Sequence, residues 1–164
     1  MSKPSFVYVT YITTTPEKLW HALTTPEFTR QYWFGSHFET DWRAGSSMKS
    51  CNPDGSVIFS GKILESNPFR RLAFTFKHMK QVADQAPSHV SYDLEPTGDV
   101  VKLTVLHDHF EEDSEVFKGI SNGWPMILAS LKSLLETGKP LPPIKTTCGD
   151  APKCAAEAAA AVAK

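Results

Sequence analysis

The chain has no run of lysine and arginine. Its 17 basic residues are balanced by 18 acidic ones, for a net charge of -1 at pH 7 and a pI of about 6.6. This charge pattern excludes the basic footprint by which proteins hold nucleic acid or an anionic membrane surface. No apolar stretch reaches the roughly 20 residues of a membrane-spanning helix. The opening residues, MSKPSFVYVT, lack the apolar segment of a secretory signal, so a cytoplasmic protein is expected. Cysteine is scarce: Cys51, Cys148 and Cys154 fit a reducing compartment, and their spacing matches no zinc pattern. Cys148 and Cys154 are close enough in sequence for a fortuitous disulfide to form during handling. The chain has no P-loop and no dinucleotide fingerprint. No Gly-x-Ser-x-Gly elbow surrounds Ser60, Ser121 or Ser130. No cofactor and no metal are expected.

What is present is a patterned chain of 164 residues, long enough for one domain with a substantial core. Thr-Thr-Pro-Glu occurs twice, at Thr14–Glu17 and Thr24–Glu27. Each copy reads as a helix start, with Thr15 or Thr25 as N-cap, Pro16 or Pro26 in the first turn, and a glutamate near the positive helix end. Two short helices are predicted, over Pro16–Leu23 and Pro26–Gln31. Around them, period-two alternation predicts strands over Phe6–Thr13, His37–Trp42, Ser47–Cys51, Ser56–Glu65, Arg71–His78, His89–Glu95 and Val100–Phe110. Turn signals such as Asn52-Pro53-Asp54-Gly55 and Pro96-Thr97-Gly98-Asp99 separate them. Short turns make the sheet antiparallel.

A helix starts at Asp113-Ser114. A short first piece to Ser121 and a longer second helix opened by Pro125 are expected, with a single kinked helix as the alternative. Trp124, Ile127, Leu128, Leu131, Leu134 and Leu135 form its apolar stripe, and Gly138 and Pro140 stop it. Residues 1–140 form the domain. Residues 141–164 are Pro- then Ala-rich with no apolar face, so a mobile or loosely docked tail is expected. The fold class is α+β: a curved antiparallel sheet of six or seven strands with one long helix across it.

This order of elements, with Ala22-Leu23-Thr24-Thr25-Pro26, Trp33-Phe34-Gly35, Gly61-Lys62-Ile63-Leu64-Glu65, Leu103-Thr104-Val105 with His107, and Gly123-Trp124, resembles the SRPBCC superfamily of START-related helix-grip proteins. Within it the sequence is most similar to the branch named for the activator of heat-shock protein 90 ATPase, homologue 1. The resemblance covers about residues 6–139. It implies a cavity between the concave sheet and the long helix that holds an apolar or amphipathic small molecule, such as a lipid. It also implies two other readings: an enzyme of cyclase or hydrolase type in that cavity, or an accessory protein with a chaperone partner in the stress response. Compact relatives of this kind are common in bacteria.

Candidate pocket residues are Trp33, Phe59, Phe74, Phe76, Tyr92, His107, Trp124 and Leu128. For each aromatic the alternative is plain core packing. His107 and His109 alternate on one strand and are expected to share a face with Leu103 and Val105. With Tyr92 they are the acid–base candidates, although a structural histidine is the simpler reading. Two histidines without a third named partner are too few for a metal. The acidic run Asp108, Glu111, Glu112, Asp113 and Glu115 reads as a solvated loop and helix start. An exposed sheet edge would permit a homodimer.

Overall fold

The computed structural model describes residues 2–143. The expectations for the tail, including Cys148 and Cys154, fall outside the described residues from residue 144 onward. The elements in chain order are β1 (Phe6–Ile12), α1 (Pro16–Thr24), α2 (Pro26–Tyr32), β2 (His37–Glu39), β3 (Ser47–Cys51), β4 (Val57–Asn67), β5 (Arg71–His78), β6 (Ser88–Thr97), β7 (Val100–Asp108) and α3 (Glu115–Thr137). All seven strands form one antiparallel sheet in the order β1-β7-β6-β5-β4-β3-β2. The helix-grip expectation is met, including the two short helices after the first strand.

The Thr-Thr-Pro-Glu repeat does open two helices, but its two copies differ in chemistry. The Thr15 hydroxyl accepts from the Lys18 N–H at 3.3 Å and caps α1. Thr25 makes no such cap. Its backbone N–H closes α1 on the His21 carbonyl, and its hydroxyl bonds the His21 ring at 3.0 Å. The helices abut so closely that one residue must end the first and begin the second, which takes its side chain away from capping. The Tyr32 hydroxyl donates to the Ala22 carbonyl at 2.9 Å and locks the hairpin.

α3 is one helix, with Pro125 inside it; the expected break at Asn122–Pro125 does not occur. An internal proline removes one backbone hydrogen bond and costs about 3 kcal/mol. Buried Ile120, Trp124, Ile127, Leu128 and Leu131 lie on one stripe running through that point, and their common burial offsets the cost. Ser114 caps the start by accepting from the Phe117 N–H at 3.2 Å. Gly138 ends the helix in the left-handed region, at φ 79°. Lys132 and Glu136 pin the last turns to the end of β1: Lys132 donates to the Tyr11 carbonyl, and Glu136 accepts from the Thr13 N–H at 2.9 Å.

Strand register decides which side chains meet. His107, Val105, Leu103 and Val101 of β7 face the helix, opposite Val90, Tyr92 and Leu94 of β6 and Leu72, Phe74 and Phe76 of β5. The alternate residues, including His89, Leu106 and Asp108, face away on the convex side. β2 stops at Glu39 instead of reaching Trp42, and Trp42 takes a left-handed φ of 59°.

Candidate functional site

The concave face carries the aromatic set foreseen from the sequence. Trp33, Phe59, Phe74, Phe76, Tyr92, His107, Trp124 and Leu128 are all buried. Most of them touch one another. Trp33 meets Trp124 edge-on at 5.4 Å, Phe59 stacks on Phe76 at 4.1 Å, and Tyr92 meets Trp124 edge-on at 6.0 Å. Phe38, not singled out from the sequence, fills the space among Trp33, Phe59 and Phe74.

At the centre of this set lies a polar relay. The Trp124 indole N–H donates to Nδ1 of His107 at 3.1 Å. That contact leaves Nδ1 unprotonated, so Nε2 carries the ring hydrogen and donates to the Ser88 hydroxyl at 2.8 Å. Ser88 in turn donates to the Phe76 carbonyl at 3.2 Å. Each hydrogen therefore has an acceptor. Burial, with a smaller contribution from the nearby His89, lowers the His107 pKa from 6.5 to about 3. The ring is neutral throughout the physiological range. Burial also raises the Tyr92 phenol, and it raises Tyr32, with Tyr92 as the second cause. Among the described residues neither His107 nor Tyr92 is hydrogen-bonded to a carboxylate. The arrangement is suited to holding Trp124 in place rather than to moving protons. Ser88 was missed by the sequence reading, although it continues the Val90–Tyr92–Leu94 alternation by one step.

His109 is not where alternation placed it. β7 ends at Asp108, and His109 takes a φ of 63°. This turn removes it from the His107 face and lays its ring on His89 at 4.0 Å, with Nδ1 2.6 Å from the Asp108 carboxylate. The chain then returns inward, so that Phe110 is buried against His107 at 4.5 Å and Phe117 at 5.2 Å.

Beside this return lies a cleft of about 520 Å³ between the β5–β6 loop and the start of α3, lined among others by His78, Val82, Ser88, His109, Phe110 and Val116. Its inner wall is the outer boundary of the aromatic set, reached through Ser88 and Phe110. Glu111, Glu112, Asp113, Glu115 and Lys80 also line it. The acidic run read as a solvated loop thus borders a cavity. Phe110 and Val116 carried no signal of this in the sequence, because only the fold brings residues 78–88 against residues 109–116.

A seven-stranded grip closed by one C-terminal helix over an aromatic interior defines the helix-grip class. The chain belongs to the Activator of Hsp90 ATPase homolog 1-like protein family, whose model matches residues 13–136. No curated protein matches the chain in sequence. Among solved structures, a protein from Mesorhizobium loti is similar at 25% identity and a TM-score of 0.71, covering 80% of this chain and 96% of that one. The Aha1 dimer from Colwellia psychrerythraea is similar at 22% identity and 0.69, covering 83% and 98%. An HSP90 activator from Plasmodium falciparum is similar at 20% identity and 0.68, covering 80% and 95%. No helix among the described residues is long and apolar enough to cross a membrane.

Proposed function

We propose that the chain binds a small amphipathic molecule in the cleft at the start of α3. The observation that carries this reading is a cavity of about 520 Å³ with Val82, Phe110 and Val116 as apolar lining and His78, Ser88 and His109 as polar groups. The eight residues from Trp33 to Leu128 do not line this cleft; they are packed core between the sheet and α3, where the cavity was expected. His107, bonded to Trp124, contacts both Ser88 and Phe110 of the lining. Apolar burial supplies the affinity, at about 25 cal/mol per Å² before ordering costs. Four acidic residues against one lysine in the lining disfavour an anionic head group such as a fatty carboxylate and favour a neutral or cationic one.

The test is titration with the neutral dye Nile red, followed by displacement with uncharged and cationic amphiphiles. Val82 is exposed in the loop, so Val82→Asp leaves the core untouched. It should weaken dye binding by about fivefold or more, since burying a carboxylate against the apolar tail is costly. Equal affinity in Val82→Asp and the parent chain would remove the cleft from this role.

A second reading is favoured by a separate feature. Edge strand β1 exposes Val7, Val9 and Tyr11 in a row on the convex side. An unpaired edge beside an apolar row supports pairing with a second copy of the chain, the assembly that the Colwellia relative's structure represents. Sedimentation equilibrium should show a dimer that Val9→Lys dissociates; a monomer at all concentrations would end this reading. Family membership also raises a chaperone ATPase as partner. Unchanged ATP turnover by the purified chaperone on adding the chain would dispose of that role.

A further inference from the structure

We propose that His89, Asp108 and His109 form a binding site for a first-row divalent transition metal, such as Zn2+, on the convex face of the sheet. The site shares His109 with the cleft but does not depend on the cleft reading. It follows from the β6–β7 hairpin. Thr97 pairs with Val100 at the turn, and counting back along the ladder sets His89 opposite Asp108, both pointing away from α3. Alternation alone would send His109 to the other face. Its left-handed φ of 63° reverses this and brings the ring over His89, 4.0 Å away and tilted by 19°. Histidine visits that region more readily than most residues. The same turn carries Phe110 back into the core and leaves the His109 ring exposed on the convex side.

One donor atom from each of the three residues lies within 4.8 Å of the other two. Two imidazole nitrogens and one carboxylate suit Zn2+, Co2+, Ni2+ or Fe2+, and offer too few oxygens for Ca2+ or Mg2+. Asp108 Oδ1 and His109 Nδ1 already approach to 2.6 Å, so a cation would take the place of the hydrogen they share. Bonds of about 2.0–2.1 Å place tetrahedral donors roughly 3.3 Å apart. Closing from the present spacing needs only rotation of an exposed side chain on a turn. A groove of about 260 Å³ lined by all three residues, with Leu64, Arg71 and Leu106, leaves the outer coordination positions to water. Arg71 does not oppose the charge of a cation there, because Glu65 and Asp93 already hold its guanidinium. Glu111, Glu112 and Asp113 follow directly in the chain and add negative potential.

The test uses the full chain, stripped with chelator and checked for folding by circular dichroism. Zn2+ is titrated by calorimetry and Co2+ by visible absorption. One equivalent of Zn2+ should bind, and Co2+ should give the intense visible bands of a four-coordinate centre. His89→Ala, Asp108→Asn and His109→Ala should each weaken binding by about tenfold or more. All three positions lie outside the core, so these variants remain folded. A variant with every cysteine replaced by serine (C51S, C148S, C154S) should bind as the parent does. Three results would overturn the proposal: no stoichiometric binding, binding that survives H89A with H109A, or binding lost with the cysteines. The last would move the metal to the cysteines of residues 144–164 or to His37, Glu39 and Cys51, whose donor atoms also lie within 4.8 Å of one another.

Discussion

Acidification should destabilise this protein most strongly through His107. The His107 pKa is about 3 in the folded chain against an ordinary 6.5, so the unfolded chain binds the proton more readily. The stability contributed by keeping the ring neutral is complete above about pH 6.5. It is lost progressively as pH falls toward about 3. Each unit of pKa difference is worth 1.36 kcal/mol. Between about pH 7 and pH 4.5 the loss comes to about 2.5 kcal/mol, a large fraction of the stability of a domain this size. No discount for solvent screening applies, because His107 is 0% exposed. The assay is urea denaturation at both pH values, for the parent chain and for His107→Gln, which keeps polar atoms at the site but cannot titrate there. The parent should lose about 2.5 kcal/mol more than the variant over this interval. Equal losses would mean that His107 titrates near its ordinary value, and the sealed relay between Trp124 and Ser88 would then be refuted.

Trp124→Phe removes the donor to His107 Nδ1 and leaves a buried acceptor unpaired; a loss of about 2–3 kcal/mol is expected by the same denaturation assay, and a loss under about 1 would contradict the relay. A Cβ on Gly61 would lie 1.8 Å from the Thr75 carbonyl oxygen and 2.7 Å from its carbon. Gly61→Ala must therefore part β4 from β5 at the cost of about 2 kcal/mol or more, read as a lowered melting temperature. Thr15→Ala should cost about 1 kcal/mol and Thr25→Ala clearly less, because only Thr15 caps its helix through the side chain; equal costs would show that the second hydroxyl caps as well.

The fold was legible because its signals are local. Alternating apolar residues, turn sequences such as Asn52-Pro53-Asp54-Gly55, and Pro16 and Pro26 act within a few positions of themselves. They gave the seven strands and the two short helices, with ends displaced by up to three residues, as in β2, which stops at Glu39 and not Trp42. Local rules failed where a residue serves two masters. Thr25 both ends α1 and begins α2, so its hydroxyl is used elsewhere. Pro125 should end a helix, yet the buried stripe on either side of it outweighs the missing hydrogen bond. His109 should follow the alternation of β7, yet a left-handed residue ends that alternation one step early. The pairing of His89 with Asp108 was within reach of the sequence, since the Thr97–Val100 turn sets the register by counting. The turn of His109 onto His89 was not.

The sequence by itself determined the element order, the antiparallel sheet, the aromatic composition of the concave face and the family. Periodicity and turn chemistry are properties of neighbouring residues, and these follow from them. Only the tertiary structure decided that His107 is sealed between Trp124 and Ser88. It also decided that the cleft lies at the start of α3 and that two histidines and an aspartate converge on the outer face. Each of these depends on contacts between segments far apart in the chain, and on one backbone torsion at His109 that no local pattern encodes.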